Sequence, residues 1–186
     1  YNHSYLNWAN EVYKPTYITQ HTLNLTGGSE VGRYLVSFDY LDQPGLVKNT
    51  EYQRYSYRVN TDLNIGKMLK VSSDVTYRHV DRLWPESLGS VQYDVWSMQP
   101  TSPVRYENGD YRLDKQNRNA ISLMDLDVVG EDRYNMDVVY GQVKADFEPI
   151  KDLVFTGMAS LNGSWDRRKI HYKNYKYYNE TGELVT

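Results

Sequence analysis

The residues that could support acid–base or metal chemistry are scattered along this chain. The four histidines, His3, His21, His79 and His171, do not have the spacing of metal ligands. Cysteine is absent, which excludes thiolate nucleophiles and thiolate zinc sites. The sequence also lacks G-x-S-x-G, H-E-x-x-H and Gly-rich phosphate-binding motifs. We therefore expect neither an enzyme nor a bound cofactor, and we interpret the histidines as surface residues or as members of an aromatic girdle.

One acidic cluster has the ligand chemistry of a calcium site. Its members are Asp125, Asp127, Glu131 and Asp132, and Ca²⁺ prefers such hard oxygen ligands. The cluster lacks the glycine and the terminal glutamate of an EF-hand loop. A solvated group of charges is the favoured interpretation, so the sequence predicts no metal site here.

Five aromatic residues in the same part of the chain could bind a ligand or a partner. They are Trp84, Tyr93, Trp96, Tyr106 and Tyr111. Aromatic rings of this kind stack on sugars or pack on peptide side chains. The favoured alternative is that they order a long loop, which needs apolar contacts to hold one conformation. Within this segment, residues 105–111 (RYENGDY) predict a small hairpin around an Asn-Gly turn.

The overall composition excludes two classes of protein. A mean hydropathy of −0.73 leaves no stretch near the roughly 20 apolar residues of a membrane helix. It remains compatible with a membrane β-barrel, whose strands alternate apolar and polar residues. The net charge of −3 gives no support for nucleic-acid binding. The 19 tyrosines suit strands and interfaces better than a dry core.

Hydrophobic residues recur with a period of two, which predicts strands with one apolar and one polar face. Residues 54–65 show it best, since Tyr55, Tyr57 and Val59 alternate with polar residues. The same pattern predicts six strands at about residues 18–27, 31–41, 52–65, 69–80, 134–148 and 152–166. The charged residues that we expect to face a barrel lumen are Arg54, Arg58, Asp62, Lys70, Asp74 and Arg78.

The connections between these strands alternate in length. Residues 27–30, 66–68 and 149–152 are short turns, whereas residues 42–49, 81–133 and those after 166 form long links. Membrane barrels place short turns on the periplasmic side and long loops outside. The sequence therefore predicts an all-β fold, an antiparallel transmembrane β-barrel segment. The aromatic residues near the long-loop ends are expected to form an outer girdle: Tyr40, Tyr55, Tyr57, Tyr77 and Trp165.

Several sequence motifs resemble the SusC/RagA family of TonB-dependent transporters of Bacteroidetes outer membranes. The chain opens with a W…E.Y pattern made by Trp8, Glu11 and Tyr13. Residues 21–30 (HTLNLTGGSE), 40–47 (YLDQPGLV) and 49–65 (NTEYQRYSYRVNTDLNI) continue the match. Residues 98–113 (MQPTSPVRYENGDYRL) are similar to an outer-loop segment of these proteins.

The resemblance implies an importer of oligosaccharides or peptides in the cell outer membrane. Such transporters have a closed barrel of about twenty strands or more, a plug, a TonB-contacting segment and a SusD-like surface lipoprotein. We find no plug segment in residues 1–186; the chain opens at Tyr1 without a signal-peptide pattern and ends at Thr186 in a polar stretch. We therefore expect one part of a larger barrel. A soluble all-β carbohydrate-binding module is the first alternative, and an outer-membrane enzyme of barrel type is the second.

Overall fold

Six long antiparallel strands form one sheet in the order in which they occur in the chain. The computed structural model describes residues 5–114, 118–178, 181 and 183–185, so His3 lies outside the described residues. The predicted antiparallel sheet of about six strands is confirmed. The strands are β1 Thr19–Gly28, β2 Gly32–Asp42, β3 Glu51–Ile65, β4 Leu69–Pro85, β5 Gly130–Ile150 and β6 Leu153–Tyr172.

The register of the sheet sorts its side chains into two unlike faces. Phe38, Tyr57 and Tyr77 lie in one cross-strand row on the face that we call the outer face. Tyr57 is 47% exposed and Leu161 on the same face is 68% exposed. Both core clusters of the described residues lie elsewhere, among the loops. Over the middle of the strands the outer face is therefore apolar and uncovered, and the opposite face, called the inner face, is polar and charged.

Each short turn has a local cause. In the first, the Ser29 hydroxyl accepts hydrogen bonds from the amides of Val31 and Gly32. β1 extends to Gly28, one residue beyond the predicted strand. A side chain at position 27 would overlap the Tyr34 ring, which favours glycine there. The second and third turns contain a residue with positive φ, Gly66 at 66° and Asp152 at 68°.

The strands extend further into the long links than the sequence pattern predicts. β4 continues to Pro85 and β5 begins at Gly130, so residues 86–129 connect them rather than residues 81–133. β6 ends at Tyr172 instead of residue 166. Pairs such as Trp84 with Asp132 hold these extensions together. Both faces are polar in this region, so hydrophobic alternation does not mark the strands there.

The long connection folds around a small core of its own. It contains α2 Leu88–Ser97 and the 3₁₀ helix Ser122–Met124, and it packs against α1 Trp8–Val12 from the N-terminal segment. The Trp8 indole N–H donates to the carbonyl of Gln99 at 3.0 Å. A short hairpin, β7 Tyr177–Tyr178 with β8 Leu184–Val185, lies in the C-terminal segment. No helix among the described residues is long and apolar enough to span a membrane.

Candidate functional site

The charged residues predicted to face a lumen all lie on the inner face by strand register. Arg54 pairs with Asp39 at 3.0 Å, and Arg58 pairs with Asp74. The Ser72 hydroxyl donates to Asp62 at 2.6 Å. The other two, Lys70 and Arg78, are exposed. The charged residues of this face that line a depression of about 530 Å³ are Asp39, Arg54, Arg58, Asp74 and Arg78.

A second group of inner-face residues lies where β4, β5 and β6 approach the long connections. We call it the mouth cluster: Arg82, Trp84, Asp132, Tyr134 and Arg168. Asp132 accepts two hydrogen bonds from Arg168, at 2.9 and 2.8 Å. It accepts a weaker one from Arg82 at 3.5 Å. Asp132 is 5% exposed, so its carboxylate lies buried between two guanidinium groups.

Two aromatic rings flank Arg82 within the mouth cluster. Its guanidinium carbon lies 3.8 Å from the centroid of the Trp84 ring and 5.0 Å from that of Tyr134. Such cation–π contacts hold a guanidinium in one plane. The Nε of Arg82 is buried and makes no hydrogen bond to any described residue. The terminal nitrogens of Arg82 point toward Asp132, which accepts from one of them at 3.5 Å.

The other loop aromatics differ sharply in exposure. Tyr93 and Trp96 on α2 are 70% and 74% exposed. Tyr111 is 4% exposed and donates its hydroxyl to Asp125 at 2.8 Å. Burial of the phenol, together with the Asp125 carboxylate, raises the pKa of Tyr111 to about 12. Tyr111 therefore packs inside the loop, whereas the two aromatics of α2 face outward.

Tyr106 lies in the predicted small hairpin, whose turn differs from the predicted form. Its ring centroid is 5.6 Å from the guanidinium carbon of Arg112. The Gly109 amide donates to the Tyr106 carbonyl, and φ is positive at Gly109 (91°) but not at Asn108. An Asn-Gly type I′ turn would require positive φ at both residues. The central pair is instead Glu107 and Asn108, followed by a glycine in the left-handed region.

The acidic residues considered as calcium ligands pair with separate partners. Asp127 accepts from Lys173 at 2.7 Å, and this hydrogen bond lowers the pKa of Asp127. Asp132 binds Arg168, and Asp125 binds Tyr111. Across the described residues, no three His, Cys, Asp or Glu side chains converge as a metal site would require.

Local sequence patterns do not predict that the residues of the mouth cluster lie together. Arg82, Asp132, Tyr134 and Arg168 share its inner face with Trp84. The sequence does contain one indication, which is the period of two. Arg82 and Trp84 lie at even-numbered positions of β4, as the inner-face residue Arg78 does. Placing Asp132 beside them requires the register of β4 with β5, which local sequence does not provide.

The chain is similar to TonB-dependent receptors in sequence. It is 30% identical over 105 residues to TonB-dependent receptor P26 of Formosa agariphila, covering 56% of this chain and 10% of the receptor. It is 34% identical over 68 residues to TonB-dependent receptor P3 of the same organism, covering 37% of the chain and 7% of that receptor. The chain thus spans a tenth or less of these relatives. No protein-family model matches it.

Solved structures of the RagAB peptide importer share the fold. The closed-closed state aligns with a TM-score of 0.72 and 21% identity, over 89% of this chain and 19% of the importer chain. The open-open state aligns with a TM-score of 0.72 and 22% identity, over 90% of this chain and 19% of the importer chain. The predicted resemblance to TonB-dependent transporters of the SusC/RagA type is confirmed. The fold is that of an antiparallel segment of such a barrel.

Proposed function

We propose that this chain is a wall segment of a TonB-dependent importer in the cell outer membrane. Its outer face contacts lipid, its inner face lines the lumen, and residues 86–129 form an extracellular loop. The function that we propose is transport of oligosaccharides or peptides rather than catalysis. Coupling to TonB operates through a plug, as in the family that the chain resembles.

The main support for this proposal is that the apolar outer face is not covered by any other part of the described chain. On β3 it runs from Tyr55 to Ile65, with Val59 and Leu63 between them. Ten residues along a strand tilted by about 40° rise roughly 25 Å, which matches the apolar band of membrane barrels. A soluble carbohydrate-binding sandwich would bury this face under a second sheet. The exposure of Tyr57 and Val59, at 47% and 39%, argues against that alternative.

A SusD-like lipoprotein is the partner that we propose for the loop side. The RagAB importer, whose fold this chain shares, is a two-component assembly by its name. Tyr93 and Trp96 project from α2 on that side and are largely exposed. Exposed aromatic pairs of this kind are common anchors at protein interfaces.

The residues of the mouth cluster favour a substrate that has both a flat or apolar group and a hydrogen-bond acceptor. Trp84 and Tyr134 offer aromatic faces, and Arg82 offers a guanidinium that lies between them. A peptide carboxylate would pair with Arg82 in a charge-assisted hydrogen bond. A sugar would use its ring against Trp84 and its hydroxyls at Arg82.

Uptake by cells provides the test. Cells with and without the full-length protein would receive fluorescent peptides or oligosaccharides, before and after the proton-motive force is dissipated. We expect protein-dependent uptake of one class, lost on de-energisation. Uptake that persists without energy, or recovery of the protein from the soluble fraction, would contradict the proposal. Hydrolysis of the substrate by the purified protein would favour the enzyme alternative.

A further inference from the structure

A cleft of about 510 Å³ lies at the start of β3, on the inner face and beside the mouth cluster. We call it the side cleft. Its walls are formed by Tyr13 at the end of α1, by the connection between β2 and β3, and by Trp84 with the first turns of α2. Trp84 belongs to both sites, whereas Arg82 does not border the cleft. The volume is within the roughly 300–1,000 Å³ of small-molecule sites.

Hydrogen bonds fix the walls of the side cleft relative to one another. The Lys14 amide, next to Tyr13, donates to the carbonyl of Leu46 at 2.9 Å. The Asn49 side chain donates to the carbonyl of Met124 at 2.8 Å, which ties the connection between β2 and β3 to the long connection. These contacts involve protein atoms alone, so the walls are formed before a ligand enters. A preformed site loses little conformational entropy when it binds its ligand.

Two glutamine amides supply the polar groups of the side cleft. Gln43 shares the inner face with Tyr52, since these two residues exchange backbone hydrogen bonds at 2.9 and 3.2 Å. Gln92 lies four residues after Leu88 and therefore on the same side of α2. Both glutamines are exposed, and neither amide group bonds to a described residue. Each side-chain amide offers two N–H donors and one carbonyl acceptor to a ligand.

Three aromatic residues supply the apolar surface of the side cleft, namely Tyr13, Tyr52 and Trp84. The Arg82 guanidinium lies 3.8 Å from the centroid of the Trp84 ring. Trp84 nevertheless remains 36% exposed, and Tyr13 and Tyr52 are half-buried. Aromatic faces of this kind pack against C–H groups, including those on the two faces of a sugar ring.

The side cleft lacks a group that would neutralise an anionic ligand. No Lys, Arg or His borders it within the part of the chain that the structure describes. Glu51 does border it, but its odd-numbered position in β3 directs its side chain to the outer face. An unpaired carboxylate or sulfate is costly to desolvate, so the cleft favours an uncharged ligand. An apolar peptide side chain would leave both glutamine amides without partners.

We propose that the side cleft binds one uncharged sugar ring of the substrate, in preference to acidic sugars and peptides. This inference rests on the proposed function and selects saccharides from the two substrate classes named there. The ring packs against Tyr52 and Trp84. Its hydroxyls, which both donate and accept hydrogen bonds, pair with the amides of Gln43 and Gln92.

Binding of the purified full-length protein to an array of ligands tests the site. The array presents uncharged oligosaccharides of glucose, galactose, mannose and xylose, oligosaccharides of uronic acids, and short peptides. Isothermal titration calorimetry then gives the affinity for the oligosaccharides that bind. The variants are Gln92→Leu, which removes the amide, and Gln92→Lys, which adds a cation. The matched control is Gln99→Leu, since Gln99 is an exposed glutamine of the same connection but does not border the side cleft.

We expect wild-type and Gln99→Leu proteins to bind an uncharged oligosaccharide equally, and Gln92→Leu to bind it roughly three- to tenfold more weakly. Gln92→Lys should bind uronic-acid oligosaccharides roughly threefold more tightly than wild type, through a charge-assisted hydrogen bond. A merely structural role for Gln92 would not produce that gain. Equal affinities of Gln92→Leu and Gln99→Leu, or binding of peptides alone, would overturn the inference.

The uptake experiment separates failure of this site from failure of the proposed function. Energy-dependent uptake of peptides without saccharide binding would refute the side cleft as a sugar site and leave the importer intact. Saccharide binding that depends on Gln92, in a protein that supports no energy-dependent uptake, would refute the importer and retain the sugar site.

Discussion

The guanidinium carbon of Arg82 lies 3.8 Å from the centroid of the Trp84 ring, two residues along the inner face of β4. Residues i and i+2 of a strand share a face, so this contact follows from strand extension to Pro85. The Tyr134 ring of β5 lies on the other side, with its centroid 5.0 Å from the guanidinium carbon of Arg82. The neighbouring strand thereby fixes the direction in which Arg82 presents its N–H groups.

Replacing Trp84 should weaken substrate binding at the mouth. Trp84→Ala removes the ring that orders Arg82, and cation–π contacts of this kind contribute about 1–2 kcal/mol. We expect substrate affinity in the full-length protein to fall roughly five- to thirtyfold. Isothermal titration calorimetry measures it, with Trp84→Phe as the control that keeps an aromatic face. Unchanged affinity in Trp84→Ala would show that substrate does not use this contact.

The sequence predicts the central part of the sheet and fails at its polar ends. Between Tyr55 and Ile65 each apolar residue has polar neighbours, so period two is visible. Near Asp81 and Arg133 the outer face is charged as well as the inner one. Hydrophobic contrast between the faces then disappears, although backbone pairing continues. For this reason the predicted strands end early and Arg82 was placed in a loop.

The loop core was also beyond local sequence patterns. Trp8 packs with Val91 and Met124, residues more than 80 positions away. Asn7 accepts a hydrogen bond from the Asn10 amide as the N-cap of α1, which is a local signal. A five-residue helix has too little periodicity to reveal its buried face. Its position depends on contacts that only the folded chain supplies.

Cysteine scanning along β3 should report the two faces directly. Residues 1–186 contain no cysteine, so a single substitution introduces the only thiol in this segment. Any cysteine elsewhere in the full-length protein is first replaced by serine. We expect Tyr57→Cys and Val59→Cys to react only with membrane-soluble thiol reagents. Arg58→Cys and Asn60→Cys should react with water-soluble reagents. Equal reaction of odd and even positions with the water-soluble reagent would contradict lipid contact at the outer face.

Asp132→Asn should destabilise the strand ends around the mouth. The Asp132 side chain is 8% exposed and compensates both Arg82 and Arg168. Because Arg168 is partly solvated, we expect a loss of about 1–2 kcal/mol. This loss of stability should be seen as faster amide hydrogen exchange of residues 80–86 and 130–135. Asp127→Asn is the control, since that side chain is 94% exposed in its pair with Lys173 and should have no measurable effect.

Ionisation of Tyr111 should loosen the loop at high pH. Its pKa is raised from 10.0 to about 12 by burial and by Asp125, so the folded loop favours the neutral phenol. This contribution is fully present below pH 10 and is lost as the pH rises through about 12. It amounts to about 2–3 kcal/mol for two pKa units.

Proteolysis of the loop as a function of pH checks this expectation. Wild-type protein should become cleavable within residues 119–129 between pH 10 and 12. Tyr111→Phe cannot ionise at this position, so its cleavage should change less with pH over that window, although the lost hydrogen bond to Asp125 makes it less stable at neutral pH. The same pH dependence in both proteins would assign the transition to another group.

Gly130→Ala tests the point at which β5 begins. Gly130 has φ of 90°, and a Cβ there would overlap the backbone carbonyl of His171 in β6. Backbone atoms of a paired strand cannot move aside, so we expect a loss of about 3 kcal/mol. Gly141→Ala is the matched control, because nothing lies within 4 Å of a Cβ at that position of the same strand.

Urea unfolding of the full-length protein in lipid vesicles measures both free energies. Alanine at 141 should be neutral or stabilising by up to about 1 kcal/mol, since glycine inside a strand loses more backbone entropy on folding. Alanine at 130 should also disturb the mouth, because Gly130 pairs with Tyr172 at the end that orients Asp132 and Arg168. If both substitutions had the same small effect, the pairing of β5 with β6 would end before Gly130, and the mouth cluster would lose its structural support.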